Sequence, residues 1–162
     1  MRLRSAVTNR WVARGALVLA VVALVFVGTN VIRGDKAPNA PAASRDLARR
    51  FAVAVTSFDH RKLDADVARV LALGTEGFER EFRDAMGADF TDRIAANKTI
   101  SVGEIVAGPT VQRRAAGRST FLVVLDQQVT SEGAGGTPQL VRVGLLVTVQ
   151  DDLVKVAAVQ VL

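Results

Sequence analysis

Few residues in this chain can do chemistry. The 162-residue sequence holds one histidine and no cysteine or tyrosine, which excludes disulfides, thiolate metal sites and a cysteine nucleophile. The single histidine, His60, directly follows Asp59. An Asp-His step offers half of a general acid–base pair. Adjacent residues on a turn rarely face one another, however, and no serine or cysteine nucleophile motif accompanies them. The plainer reading is a turn in which Asp59 caps the next segment. Carboxylates are dense at Asp64, Asp66, Glu76, Glu79 and Glu81, and paired carboxylates can hydrolyse glycosides or bind Ca²⁺. Alternation with Arg69, Arg80 and Arg83 fits a salt-bridged, solvated helix face better. Gly133-Ala134-Gly135-Gly136 lies between two strand-like segments, whereas a phosphate cradle needs a following helix. Asn97-Lys98-Thr99 has the form of a glycosylation acceptor and is read as chance. Arg113, Arg114 and Arg118 gather around one turn, where they protect a strand edge or touch anionic headgroups or a partner. No catalytic, metal or cofactor-binding residue is assigned, and the expectation is a non-enzyme.

The elements that must carry these side chains follow from the hydrophobic period. Ser44 is placed as an N-cap with Asp46 in the first turn. Leu47, Phe51, Ala54, Val55 and Phe58 recur at helical spacing, which predicts a helix over 45–58 with Arg45, Arg49 and Arg50 on its solvated side. A second helix is predicted over 64–73, opened by Asp64 or Asp66 and ended by Gly74. Thr75 caps a third over 76–96, with Phe78, Phe82 and Met86 on one face, continued by Phe90 and Ile94 after a break or kink at Gly87. Glu76–Arg80, Glu79–Arg83 and Arg80–Asp84 are candidate i,i+4 ion pairs on it.

After Lys98 the period changes to two. Strands are predicted over 99–115, bent near Gly103 and Gly108-Pro109, and over 119–130, 139–150 and 153–161. Turns fall at Ala116-Gly117, at the glycine-rich 131–138 and at 150–152. Helices followed by strands argue an α+β domain over 44–162, with the helices packed on a curved four-stranded antiparallel sheet. Val141, Val143, Leu145, Val147 and Val149 mark the buried face. The opposite face carries Leu122, Val124, Leu140 and Leu146, a candidate partner-contact surface.

The net charge of +5 suggests nucleic acid until it is located. Arg2, Arg4, Arg10 and Arg14 supply four of those charges, and no acid precedes Asp35. From Arg33 onward 17 basic residues face 16 acidic ones, so no nucleic-acid partner is expected. Gly15 to Ile32 is 18 residues without a charge. At ~1.5 Å per residue it covers ~27 Å, close to the ~30 Å hydrocarbon core. Trp11 stands at the interface position, and the arginine-rich flank (1–14) puts the N-terminus in the cytoplasm and the domain outside. The expected topology is a single-pass plasma-membrane protein, with 33–43 as linker. A cleaved signal peptide ending at Ala40-Pro41-Ala42 is the competing reading, but the apolar run is long for one and the site lies eight residues past its end.

An N-in anchor, a short linker and helices before a curved sheet resemble the NTF2-like (cystatin-like) domain of actinobacterial Mce-associated membrane proteins. The resemblance is carried by Phe58-Asp59, Leu63-Asp64, Gly74-Thr75, Phe78 and Phe82, and by Asp126, Gln127 and Thr130 closing a hydrophobic strand. The use of 17 Arg against 4 Lys agrees with a GC-rich genome. Relatives commonly carry a Gly-Trp turn before the last strand, where this chain has Gln150-Asp151-Asp152-Leu153. The resemblance implies a non-catalytic accessory or stabilising subunit beside an Mce lipid transporter in the cell envelope, with complex subunits, self-association or lipid as partners. The same fold occurs in VirB8-like subunits of conjugation and secretion machines. An apolar lipid or small-ligand pocket between helices and sheet is a further expectation.

Overall fold

The computed structural model describes residues 39–87 and 89–162. The expected membrane segment 15–32 and the topology residues Arg2, Arg4, Arg10, Trp11 and Arg14 lie outside them. Among the described residues no helix is long and apolar enough to cross a membrane.

The chain is an α+β fold in which α1 (Ala42–Thr56), α2 (Leu63–Leu71), α3 (Glu76–Met86) and α4 (Asp89–Ala96) precede nearly all of the sheet. The sheet has five strands, not four: β1 (Phe58–Asp59), β2 (Ile100–Ala115), β3 (Arg118–Thr130), β4 (Gln139–Gln150) and β5 (Lys155–Val161). They lie side by side in sequence order, all antiparallel. The extra strand is two residues long and pairs only with Ile100 and Ser101 of β2. So short a strand has no period to display, and long-range pairing alone defines it.

Helix α1 begins at Ala42, and Ser44 does not cap it. Pro41 precedes the helix, and its carbonyl accepts from Arg45 N at 3.1 Å. Ser44 points inward instead and donates to Asp151 at 2.7 Å. Ala40 packs against the core, so the Ala40-Pro41-Ala42 stretch belongs to the folded unit. Thr75 does cap α3, accepting from Phe78 N at 3.2 Å. The stretch expected as one helix over 76–96 is two, α3 and α4, parted at Gly87, whose φ of +61° ends α3.

The core forms where the apolar stripe of α1 meets the inner face of the sheet. Leu47, Ala48 and Phe51 lie against Phe121, Val123, Leu125, Val143, Leu145 and Val147. Phe51 and Phe78 meet edge to face with centroids 5.3 Å apart, which adds to their burial. A smaller cluster of Phe58, Leu63, Phe90 and Ile94 closes the far side of the helices. The sheet bends along β2, where register shifts fall between Ile105 and Ala107, Ala107 and Thr110, and Val111 and Arg113. Gly108 sits there at φ +87°, and a Cβ would strike the Leu122 carbonyl, so only glycine fits. Ala116 and Gly117 both have positive φ and make the two-residue turn whose twist suits a hairpin.

Candidate functional site

Two of the carboxylates that suggested catalysis, Asp59 and Asp66, serve the scaffold. In the turn after β1, the Asp59 carboxylate accepts from Arg61 N at 2.9 Å and from the Arg61 guanidinium. These hydrogen bonds, the guanidinium's above all, hold its carboxyl well below the usual carboxylate range. A carboxylate so held is a weak proton acceptor at neutral pH. His60 is fixed through its backbone, donating from N to the Thr99 carbonyl at 3.0 Å. Asp66 is not on a solvated face: it is 2% exposed, accepts from Asp59 N at 2.8 Å and lies 2.9 Å from Arg69 Nη1, so it clips β1 to α2. None of the three ion pairs expected along α3 closes within 4 Å. Among the described residues no three His, Asp or Glu side chains gather as metal ligands do.

The remaining motifs resolve in the same way. Thr99 is 1% exposed and its hydroxyl faces Ser131, so the Asn97-Lys98-Thr99 acceptor is built into the fold. The glycine-rich loop joins β3 to β4 and holds a 3₁₀ turn at Glu132–Ala134. Glu132 pairs with Lys98 at 2.9 Å, and no helix follows the glycines.

Between α1 and the sheet, the buried side chains of both elements pack together as one cluster. Elsewhere Ala54, Val55, Phe58, Val67, Phe82 and Phe90 line an apolar cleft of about 40 Å³ among the helices. Sites for drug-sized ligands run from roughly 300 Å³ upward, several times the volume of this cleft.

Attention therefore moves to the outer face of the sheet. The structure brings Leu122 and Leu146 directly opposite one another on β3 and β4. Val124 stands opposite Gly144, where Leu162 fills the space left by the missing side chain. Asp126 and Arg142 come next, joined by two hydrogen bonds of 2.8 and 2.9 Å, which lower the Asp126 pKa. Leu140 follows, opposite Gln128 and 70% exposed. Val102 and Val106 of β2 are also exposed. All four sequence-selected residues thus share one face, but Leu140 is separated from the other three by the Asp126–Arg142 pair.

The end of the domain where the chain enters is organised by a residue the sequence reading missed. Asp151, in the β4–β5 turn, accepts from Ser44 at 2.7 Å and from Ser119 at 2.9 Å. Arg114 lies 3.5 Å from the same carboxylate and also donates to the Asn39 carbonyl at 3.2 Å. One side chain therefore ties together helix α1, strands β2 and β3, and the entering backbone. Its signal in the sequence was the acidic Gln150-Asp151-Asp152 turn before the last strand. Gln127, fully buried, was likewise missed as a linchpin; its amide donates to Ser101 Oγ at 2.8 Å and to the Thr56 carbonyl at 3.3 Å.

Comparison with known proteins now has a geometry to refer to. The family model described as "Uncharacterized protein Rv1363c/MT1408-like" matches residues 10–162. The chain belongs to this family. No curated protein matches the chain. Among solved structures, this Rv1363c/MT1408-like chain is similar to the periplasmic domain of DotI, at 18% identity and a TM-score of 0.55, over 78% of this chain and 98% of that one. It is also similar to a TrwG component of a type IV secretion system from Bartonella birtlesii, at 15% identity and a TM-score of 0.52, over 77% and 93% of the two chains. At these identities the likeness is one of fold alone: an α+β domain with helices before an antiparallel sheet.

Proposed function

We propose that the protein is a non-catalytic accessory subunit of a cell-envelope complex, held to the plasma membrane by residues 15–32 with the folded domain on the extracytoplasmic side. The observation that carries this reading is the apolar patch at the middle of the outer sheet face. Leu122, Val124, Leu146 and the outlying Leu140 supply a surface for a partner to bury. Incorporation of the Ala40-Pro41-Ala42 stretch into the fold favours an uncleaved anchor over a signal peptide. The two structural neighbours, one titled a periplasmic domain and the other a secretion-system component, support assignment to a multi-subunit envelope machine. The Phe58-Asp59, Gly74-Thr75 and Asp126-Gln127 motifs support the Mce-type transporter among such machines. A VirB8-like part in a secretion or conjugation machine, with self-association through the same face, is the second reading.

The test is site-specific photo-crosslinking in intact cells, with the full chain carrying the probe at Leu122 or Leu146 and, as control, at exposed Leu153. Adducts with transporter or secretion subunits from Leu122 and Leu146 only are the expected result, and their identity separates the two readings. Equal adducts from all three positions, or none, would falsify the contact-face assignment.

A further inference from the structure

The chain-entry end of the domain carries cations that the fold does not use. Arg45, Arg49, Arg113 and Arg118 are exposed and have no carboxylate partner within 4 Å among the described residues. Arg114, in contrast, is consumed by Asp151 and the Asn39 carbonyl. Two of the free arginines converge. Register places Arg113 opposite Thr120, and Arg118 opposite Gln150, so both share the outer face with Thr120 and Thr148. Together these four residues line a shallow open cleft of about 290 Å³. The two threonine hydroxyls lie 3.1 Å apart at its edge. Exposed Asp152 is the carboxylate that borders the adjoining hollow beside Arg118. Two guanidinium forks, beside the one hydroxyl of the threonine pair whose proton is not spent on the other, form a donor set suited to a phosphate group.

Chain length says where that phosphate would come from. Six residues separate Ile32 from Asn39, a reach of at most roughly 25 Å over the seven steps between their Cα atoms. Arg114, the neighbour of Arg113, grips Asn39 itself. An anchor at 15–32 therefore keeps this cleft within a short tether of the membrane surface, where anionic lipids attract basic groups.

We infer that Arg113 and Arg118, with Thr120 and Thr148, seat the phosphate of an anionic phospholipid headgroup and dock this end of the domain on the membrane. The inference rests on the anchored reading proposed above. Because the natural chain has no cysteine, single labels can be placed cleanly. The full chain, labelled at Ala115→Cys beside the cleft or at Thr137→Cys in the opposite loop, is reconstituted into phosphatidylcholine vesicles with or without phosphatidylglycerol, carrying a headgroup-attached quencher. Quenching at position 115 and not at 137, dependent on phosphatidylglycerol and removed by ~0.5 M salt, is the expected result. Arg113→Gln and Arg118→Gln should each lower the docked-to-free ratio about five-fold with the circular dichroism spectrum unchanged. Equal quenching at both positions, or quenching indifferent to lipid charge, overturns docking while co-flotation with the vesicles still upholds the anchor. Loss of co-flotation overturns the anchor, and the inference with it. Release by inorganic phosphate at matched ionic strength would overturn the lipid source in favour of a free-phosphate site.

Discussion

Strands β3 and β4 present two surfaces built from alternating residues of the same segments, and the two have little else in common. On the inner side Phe121, Val123, Leu125, Val143, Leu145, Val147 and Val149 are all buried, and the polar residues that share this face on β3, Ser119 and Gln127, are buried and hydrogen-bonded. On the outer side Leu122, Val124 and Leu146 are half-buried, and they share their rows with threonines, an ion pair and arginines. Period two makes both faces obligatory once the strands form, but burial constrains only one of them. The inner face must be apolar for the domain to exist. The outer face is under no such constraint, and the proposed function assigns the apolar residues at its centre to a partner.

Several substitutions would break or sharpen this contrast. The largest effect is expected inside: Leu125→Ala should lower unfolding free energy by about 2–5 kcal/mol in chemical denaturation. A loss below about 1 kcal/mol would mean that the inner face is not the core. Asp151→Ala comes next. It leaves the fully buried Ser44 hydroxyl without its acceptor, for an expected loss of about 1–3 kcal/mol, and Ser44→Ala in the same background should add little because the two share one interaction. Outside, Leu122→Ser or Leu146→Ser should change stability by under about 1 kcal/mol while abolishing the crosslinks to envelope subunits. A large stability loss without loss of crosslinks would reverse the roles assigned to the two faces.

The smallest effect concerns the ion pair on the outer face. Arg142 lowers the pKa of Asp126 through its hydrogen bonds. The stability this contributes is present above the unfolded carboxylate pKa of about 4 and is lost as pH falls below it. The Tm difference between wild type and Arg142→Gln should therefore be widest near neutral pH and close on acidification. A difference that grows toward low pH would contradict the assignment.

How far the sequence carried depends on the range of the interaction involved. The α+β class, four of the five strands, the Ala116-Gly117 turn and the Thr75 cap were legible because period, turn chemistry and capping are local. β1 was not, because two residues have no period and its pairs, Phe58 with Ser101 and Asp59 with Ile100, are 43 and 41 positions apart. Ser44 resembles a cap to any local reading, yet its partner is 107 residues away. Asp66 resembles its exposed neighbours, and only the fold shows that it holds β1. The residues that carry the family resemblance have the same character: Asp59, Thr75, Phe78 and Gln127 are motif residues because they fix the frame. The outer-face leucines were legible as a face through alternation alone. The basic cleft needed the register of three strands.

The clasp around Asp151 has a mechanical meaning as well. Any pull transmitted along the chain into Asn39 meets Arg114 on β2 first, and through the shared carboxylate reaches Ser119 on central β3 and Ser44 on α1. Tension from a tether is thus distributed over a helix, two strands and a turn at once, instead of peeling one edge strand away bond by bond. With residues 15–32 as the proposed anchor, load would enter the fold at this clasp.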